Sequence, residues 1–148
     1  MTLLRACVLR LAAGACLAAA LAACSSTEEE PYVERPVEQI YQEAAAELDG
    51  ESFIEAARLF DEVERQHPYS QWATRAQLMA AFAHYQALQY DDAIIALDRF
   101  IQLHPGSDDI AYAYYLKALS YYEQITDVRR DQRITEQALA ALGEVVRR

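Results

Sequence analysis

Apolar residues recur along the middle of the chain with helical spacing. Ala56, Phe60 and Val63 fall at i, i+4 and i+7, on one stripe of a 3.6-residue helix, and Ala93, Leu97 and Phe100 repeat that stripe 37 positions later. The same shift superposes Phe53 on Tyr90 and Ala44 on Ala81 and Ala118. A self-match of this length marks a structural repeat, here a pair of helices. The pattern predicts helices over 37–48, 52–66, 70–88, 91–103, 107–125 and 134–148, and therefore an all-α fold of antiparallel helix pairs in about three repeats.

Two near-identical phrases punctuate the repeat, "QHPYS" at 66–70 and "LHPGS" at 103–107. Proline cannot continue a helix and drives the residue before it, His67 or His104, out of the α region. Ser70 and Ser107 follow where an N-cap is wanted, with Asp108 and Asp109 suited to the first turn of the helix expected to open at Ser107. The phrase is thus a stop followed by a start. Within the units, "LDGES" around Asp49 and Gly50 and "LQYDD" mark tight turns between helices.

An alanine followed four residues later by a large apolar residue and twelve later by proline resembles the tetratricopeptide repeat, which stacks into a superhelix lined by the first helix of each pair. The third unit departs from it. Ala138 lies 45 residues after Ala93, with the extra residues in "ITDVRRDQRI", and Thr135 replaces the aromatic of Phe53 and Tyr90. A third proline falls due at about position 150, past Arg148, so the third repeat is expected to be incomplete. Its second helix keeps Leu139, Leu142, Val145 and Val146, which predicts an exposed apolar edge, and Gly143 weakens that helix by about 1 kcal/mol relative to alanine.

The N-terminus reads differently. Residues 1–23 hold two arginines, Arg5 and Arg10, no acid, and the run "LAAGACLAAALAA", which has the form of an export signal. The ending "LAACSS" resembles the lipobox of bacterial lipoproteins, with Cys24 as the lipidated residue and new N-terminus. An ordinary secretory signal with Cys24 near the cleavage point and an uncleaved anchor are the alternatives. Ser25 and Ser26, where an aspartate would retain such a lipoprotein at the inner membrane, point to the periplasmic face of the outer membrane. Cys7 and Cys16 lie in the leader, leaving Cys24 alone in the mature chain, so no internal disulfide is expected. Residues 24–36 are acidic, contain two prolines and read as a flexible lipidated tether before a repeat domain at 37–148.

Charge narrows the partners. The full chain carries −10. Removing Arg5 and Arg10 leaves 11 basic residues against 23 acidic ones, a mature charge of −12, which argues against nucleic acid. His67 and His104 recur one repeat apart as helix-end residues, and His84 stands alone. No nucleophile motif, phosphate loop or metal-ligand spacing is present in the sequence, so neither enzymatic activity nor a cofactor is expected.

A lipobox, a short acidic tether and then the stretch from "HPYS" through "YYLKALSYYEQI" to "RRDQ" together resemble the BamD (ComL) family, lipoproteins of the β-barrel assembly machinery of Gram-negative outer membranes. The resemblance covers essentially the whole mature chain. It implies a role in recruiting and inserting nascent outer-membrane proteins with the barrel protein BamA and companion lipoproteins. In that family further repeats follow the third and dock on BamA, whereas this chain stops inside the third. Another periplasmic tetratricopeptide lipoprotein, a scaffold for envelope or peptidoglycan proteins, is the competing reading.

On the repeat pattern the inward stripe would be Tyr41 and Leu48 in the first unit, Arg75, Leu78, Phe82 and Tyr85 in the second, and Tyr112, Tyr115, Leu119 and Tyr122 in the third. Tyrosine joins a broad apolar face to a polar tip, which suits an extended peptide presenting side chains and backbone amides. By the resemblance, client peptides commonly end in an aromatic residue. Packing against the next repeat is the competing use of the same residues. Arg75 either takes a client's terminal carboxylate or is simply solvated. Tyr114, Tyr121, Ala111 and Ala118 form the opposite stripe and are expected in the core. Asp127, Arg129, Arg130, Asp131 and Arg133 are either a solvated charged loop or, by the resemblance, a partner contact.

Overall fold

The computed structural model describes residues 34–125 and 132–147. Within them the chain forms six helices, α1 (Val37–Asp49), α2 (Phe53–Gln66), α3 (Gln71–Gln86), α4 (Tyr90–Leu103), α5 (Ile110–Tyr122) and α6 (Arg133–Arg147). Each helix packs on the next in sequence. The first helices of the units also touch one another, α1 with α3 and α3 with α5, whereas the backbones of α2 and α4 stay apart and are bridged by the Arg99–Glu64 ion pair. This is the all-α stack of helix pairs that the periodicity predicts.

Two cores hold the stack. The first gathers Ile40 and Ala44 of α1, Phe60 and Val63 of α2, and Ala76, Ala80 and Ala83 of α3. The second joins Leu78 and Ala81 of α3 to Leu97 and Phe100 of α4 and Ala113 and Leu116 of α5. Helix α3 belongs to both, which is why it is apolar around most of its circumference. Its alanines let α2 and α4 approach from either side. Phe60, Leu97 and Phe100 are essentially inaccessible, and each such burial is worth about 1.5–3 kcal/mol. Ala44, Ala81 and Ala118, the superposed small residues, are likewise buried.

The two His-Pro phrases end their helices alike, with His67 at φ −132°, ψ 56° and His104 at φ −127°, ψ 52°. They begin the next helix differently. Ser70 Oγ accepts from the Ala73 amide at 3.1 Å and caps α3. Ser107 Oγ instead accepts from the Asp109 amide at 3.2 Å, two residues on, and its carbonyl accepts from Ile110, so a further turn intervenes and α5 opens at Ile110 with Asp109 as its N-cap residue. Two successive aspartates favour a local turn over a first helical turn.

The inter-helix turns are Schellman motifs one repeat apart. Ser52 N–H donates to Glu47 O and Glu51 N–H to Leu48 O; Gln89 N–H donates to His84 O and Leu88 N–H to Tyr85 O. The left-handed residue is Glu51 (φ 60°) or Leu88 (φ 61°), while Gly50, the residue that marks the turn in the sequence, sits at φ −79°. In α5, Ala118 is buried and Tyr114 and Tyr121 half-buried, but Ala111 is exposed and not in the core. The core face runs instead through Ala113, Leu116 and Ser120.

On α6 only Ala138 and Ala141 are buried. Leu139, Leu142 and Val146 are exposed, and Val145 is half-buried. At the other end, the last residues of the expected tether are held in place. The Arg35 amide donates to Gln66 Oε1 at 2.9 Å, His67 Nε2 donates to the Arg35 carbonyl at 2.6 Å, and the Arg35 side chain pairs with Glu43.

Candidate functional site

The row of first helices carries the predicted inward stripe. Arg75, Leu78 and Phe82 recur along one face of α3, and Tyr112 enters from the first turn of α5. Together with Gln71, Thr74, Met79 and Asp109 they line one open groove of about 630 Å³. An apolar floor of Leu78, Phe82 and Met79 thus has a guanidinium on its wall, and Arg75 makes no salt bridge among the described residues. Met79 and Thr74 were not singled out by sequence reasoning; their i, i+4 relation to Arg75 and Leu78 is the signal that finds them.

A tyrosine cluster extends the groove. Tyr85 stacks obliquely on Tyr90, ring centroids 5.7 Å apart, and packs with Phe82 against the second core. Burial pushes the Tyr112 hydroxyl above its ordinary value, and Tyr115 and Tyr85 nearby push the same way. Burial likewise raises Tyr85, reinforced by Glu123, Tyr90 and Tyr115. These phenols therefore stay neutral, as hydrogen-bond donors, throughout the ordinary pH range. Tyr112, like Tyr115 and Tyr122, keeps an exposed face on α5, so its hydroxyl is only partly desolvated, and Leu119 is half-buried.

The first repeat contributes differently. Tyr41 packs edge-on against Phe60 at 5.3 Å and against Trp72 at 4.8 Å, and with Leu48 it flanks the first core. Burial raises the Tyr41 hydroxyl, and the positive charge of Arg75 partly offsets that rise. Tyr41 is thus bound into the packing between the first two repeats, at the edge where Arg75 stands.

Both histidines of the repeated phrase hold neighbouring elements. Where His67 bonds Arg35, His104 Nε2 bonds Gln77 Oε1 at 3.0 Å; Gln77 Nε2 donates to Glu64 Oε1 at 2.7 Å, and Glu64 also receives Arg99. Gln77 is buried, so this chain of bonds joins α2, α3 and α4 from within. Sequence periodicity carries no sign of it, because a glutamine inside an apolar helix reads only as an interruption.

Of the charged loop, 127–131 lies outside the described residues, as does Cys24; Arg133 opens α6.

Comparison with known proteins places the chain among its relatives. The model of the YfiO family, described as outer membrane lipoprotein, matches residues 33–148. The outer membrane protein assembly factor BamD of Caulobacter vibrioides is 53% identical over 135 residues, 89% of this chain and 44% of its own length. The proteins of the same name from Rickettsia prowazekii and Neisseria meningitidis serogroup B are 42% and 32% identical, each over 76% of this chain and over 45% and 46% of their own lengths. The chain therefore spans somewhat under half the length of these curated relatives. With the helix-pair stack and a family match across the whole described region, the chain belongs to the YfiO family of outer membrane lipoproteins.

Proposed function

We propose that this chain forms the client-binding part of an outer membrane protein assembly factor, a non-enzymatic scaffold that holds segments of nascent outer-membrane β-barrel proteins in the groove of its first helices. The observation that carries this reading is the convergence of Arg75, Leu78, Phe82 and Tyr112 on one groove. An extended peptide would lay apolar side chains on Leu78 and Phe82, meet the hydroxyls of Tyr85, Tyr112 and Tyr115 with its backbone, and place its terminal carboxylate on Arg75. Leu119 and Tyr122 would lengthen the contact along α5, with Tyr41 and Leu48 bracing its near end. BamA, companion lipoproteins and the charged segment around Arg129, Arg130 and Arg133 belong to the same proposal; the names of the relatives support its assembly role.

Export by residues 1–23 and acylation of Cys24 would anchor the groove at the periplasmic face of the outer membrane. Multiple acyl chains on Cys24, burying many methylenes at about 0.8 kcal/mol each, would make such an anchor stable. Replacing Cys24 with alanine should release the protein from membrane fractions. The groove is tested in cells by a photocrosslinking residue at Tyr115: adducts with outer-membrane proteins are expected there and not from the exposed Gln102 of α4. Equal capture at both positions, or none at Tyr115, would remove the basis for the reading.

A further inference from the structure

On the other side of α3, a second groove of about 560 Å³ runs between α2 and α4, whose backbones stand apart and are bridged by the Arg99–Glu64 ion pair. Two arginines on its walls are already engaged, Arg65 with Glu62 and Arg99 with Glu64. Asp61 and Asp92 make no hydrogen bond or salt bridge to a described residue. Asp61 is accessible along the groove, yet desolvation of its carboxyl by the groove walls raises it above the ordinary range, against the opposing pull of His84 and Arg99. His84 Nδ1 lies 2.9 Å from Gln89 Oε1. An amide oxygen can only accept, so Nδ1 donates this bond and fixes the ring on the wall of the groove. Beside these acceptors Ile95 stands 68% exposed.

We infer that this outer groove docks an arginine-bearing segment of a partner protein, with the side-chain stem along Ile95 and the guanidinium on Asp61. A long apolar stem ending in a cationic head matches an exposed aliphatic wall that ends in uncommitted acceptors. The chain's charge of −10 favours approach of such a segment. This surface is separate from the groove of the first helices, so either can fail without the other.

The probe is the peptide acetyl-Ala-Leu-Arg-Leu-Ala-amide, titrated into the isotope-labelled full chain and followed by amide chemical shifts, with the citrulline peptide as its uncharged counterpart. Saturable shifts at Asp61, His84 and Ile95 are expected, with Arg75 unmoved, and affinity should fall about tenfold for the citrulline peptide and for D61N. D61N should fold at least as well as the parent. Because the native fold raises this carboxyl, Asp61 costs stability at neutral pH, and the gain from asparagine should vanish as pH falls below the unfolded value near about 4. Equal binding of the two peptides, undiminished binding by D61N, or shifts confined to other surfaces would overturn the inference.

Discussion

Replacing Gln77 with alanine should loosen the joint between the first two repeats. Gln77 is 7% exposed and holds one bond to Glu64 at 2.7 Å and one to His104 at 3.0 Å. The substitution deletes both, at about 1 kcal/mol each, and the bond to the Glu64 carboxylate lies at the upper end of that range. It also removes a buried methylene, worth about 0.8 kcal/mol, and strands the half-buried His104 imidazole. The sum is about 2–4 kcal/mol. At roughly 4 °C per kcal/mol for a folded unit of this size, Tm should fall by about 8–16 °C. Thermal and urea unfolding followed by helical circular dichroism would measure it, with the exposed Gln102→Ala as a neutral control. A cycle with His104→Ala should show coupling of about 1 kcal/mol, because the two changes break the same bond. If Q77A melts within about 0.5 kcal/mol of the parent, or no more destabilised than Q102A, the joint is held by apolar packing alone and the polar chain is incidental.

Three further changes probe other parts of the stack. Leu88→Gly should stabilise by about 0.5–1 kcal/mol, since glycine tolerates φ 61° and the leucine side chain is 70% exposed; destabilisation would mean that Leu88 packs in solution. Gly143→Ala, where an added methyl meets nothing within 4 Å, should stabilise α6 by up to about 1 kcal/mol in the same melts. Stability should decline as pH rises past about 10, because the unfolded tyrosines lose their protons while Tyr41, Tyr85 and Tyr112 in the fold keep theirs, with values raised chiefly by burial. Tyr112→Phe should flatten part of that decline, and an unchanged alkaline slope would count against burial of the hydroxyl.

The elements were legible because each rests on a local signal. The stripe Ala56, Phe60, Val63 repeats in register, and proline stops α2 and α4 wherever the surroundings place them. What escaped depends on contacts or on competition between local geometries. Ser70 and Ser107 stand in the same phrase, but the two aspartates after Ser107 let its hydroxyl close a shorter turn, and α5 opens three residues late. The sequence signal for the first turn is Gly50, yet the left-handed position falls on Glu51, as it falls on Leu88 where no glycine is present. The groove was partly readable, since Arg75, Leu78 and Phe82 share a face of one helix and Tyr112 comes in by the repeat. Tyr41 reads the same way in one dimension, but Phe60 and Trp72 enclose it, a matter of tertiary neighbours. The bond chain through Gln77 and the outer groove at Asp61 join residues from three helices, and no single-helix periodicity can reveal them.

The proposed client role of the groove of the first helices rests on recognition of a peptide terminus through Arg75. The most direct measurement is titration calorimetry of a decapeptide ending in phenylalanine with a free carboxylate, against its C-terminal amide and a scrambled sequence, on the parent chain and on R75Q. A charge-assisted bond of about 1.5–3 kcal/mol predicts that the free acid binds about 10- to 100-fold more tightly than the amide to the parent, and that R75Q erases the difference while keeping the weaker affinity. Equal affinity for acid and amide on the parent chain, or a preference that survives R75Q, would contradict it.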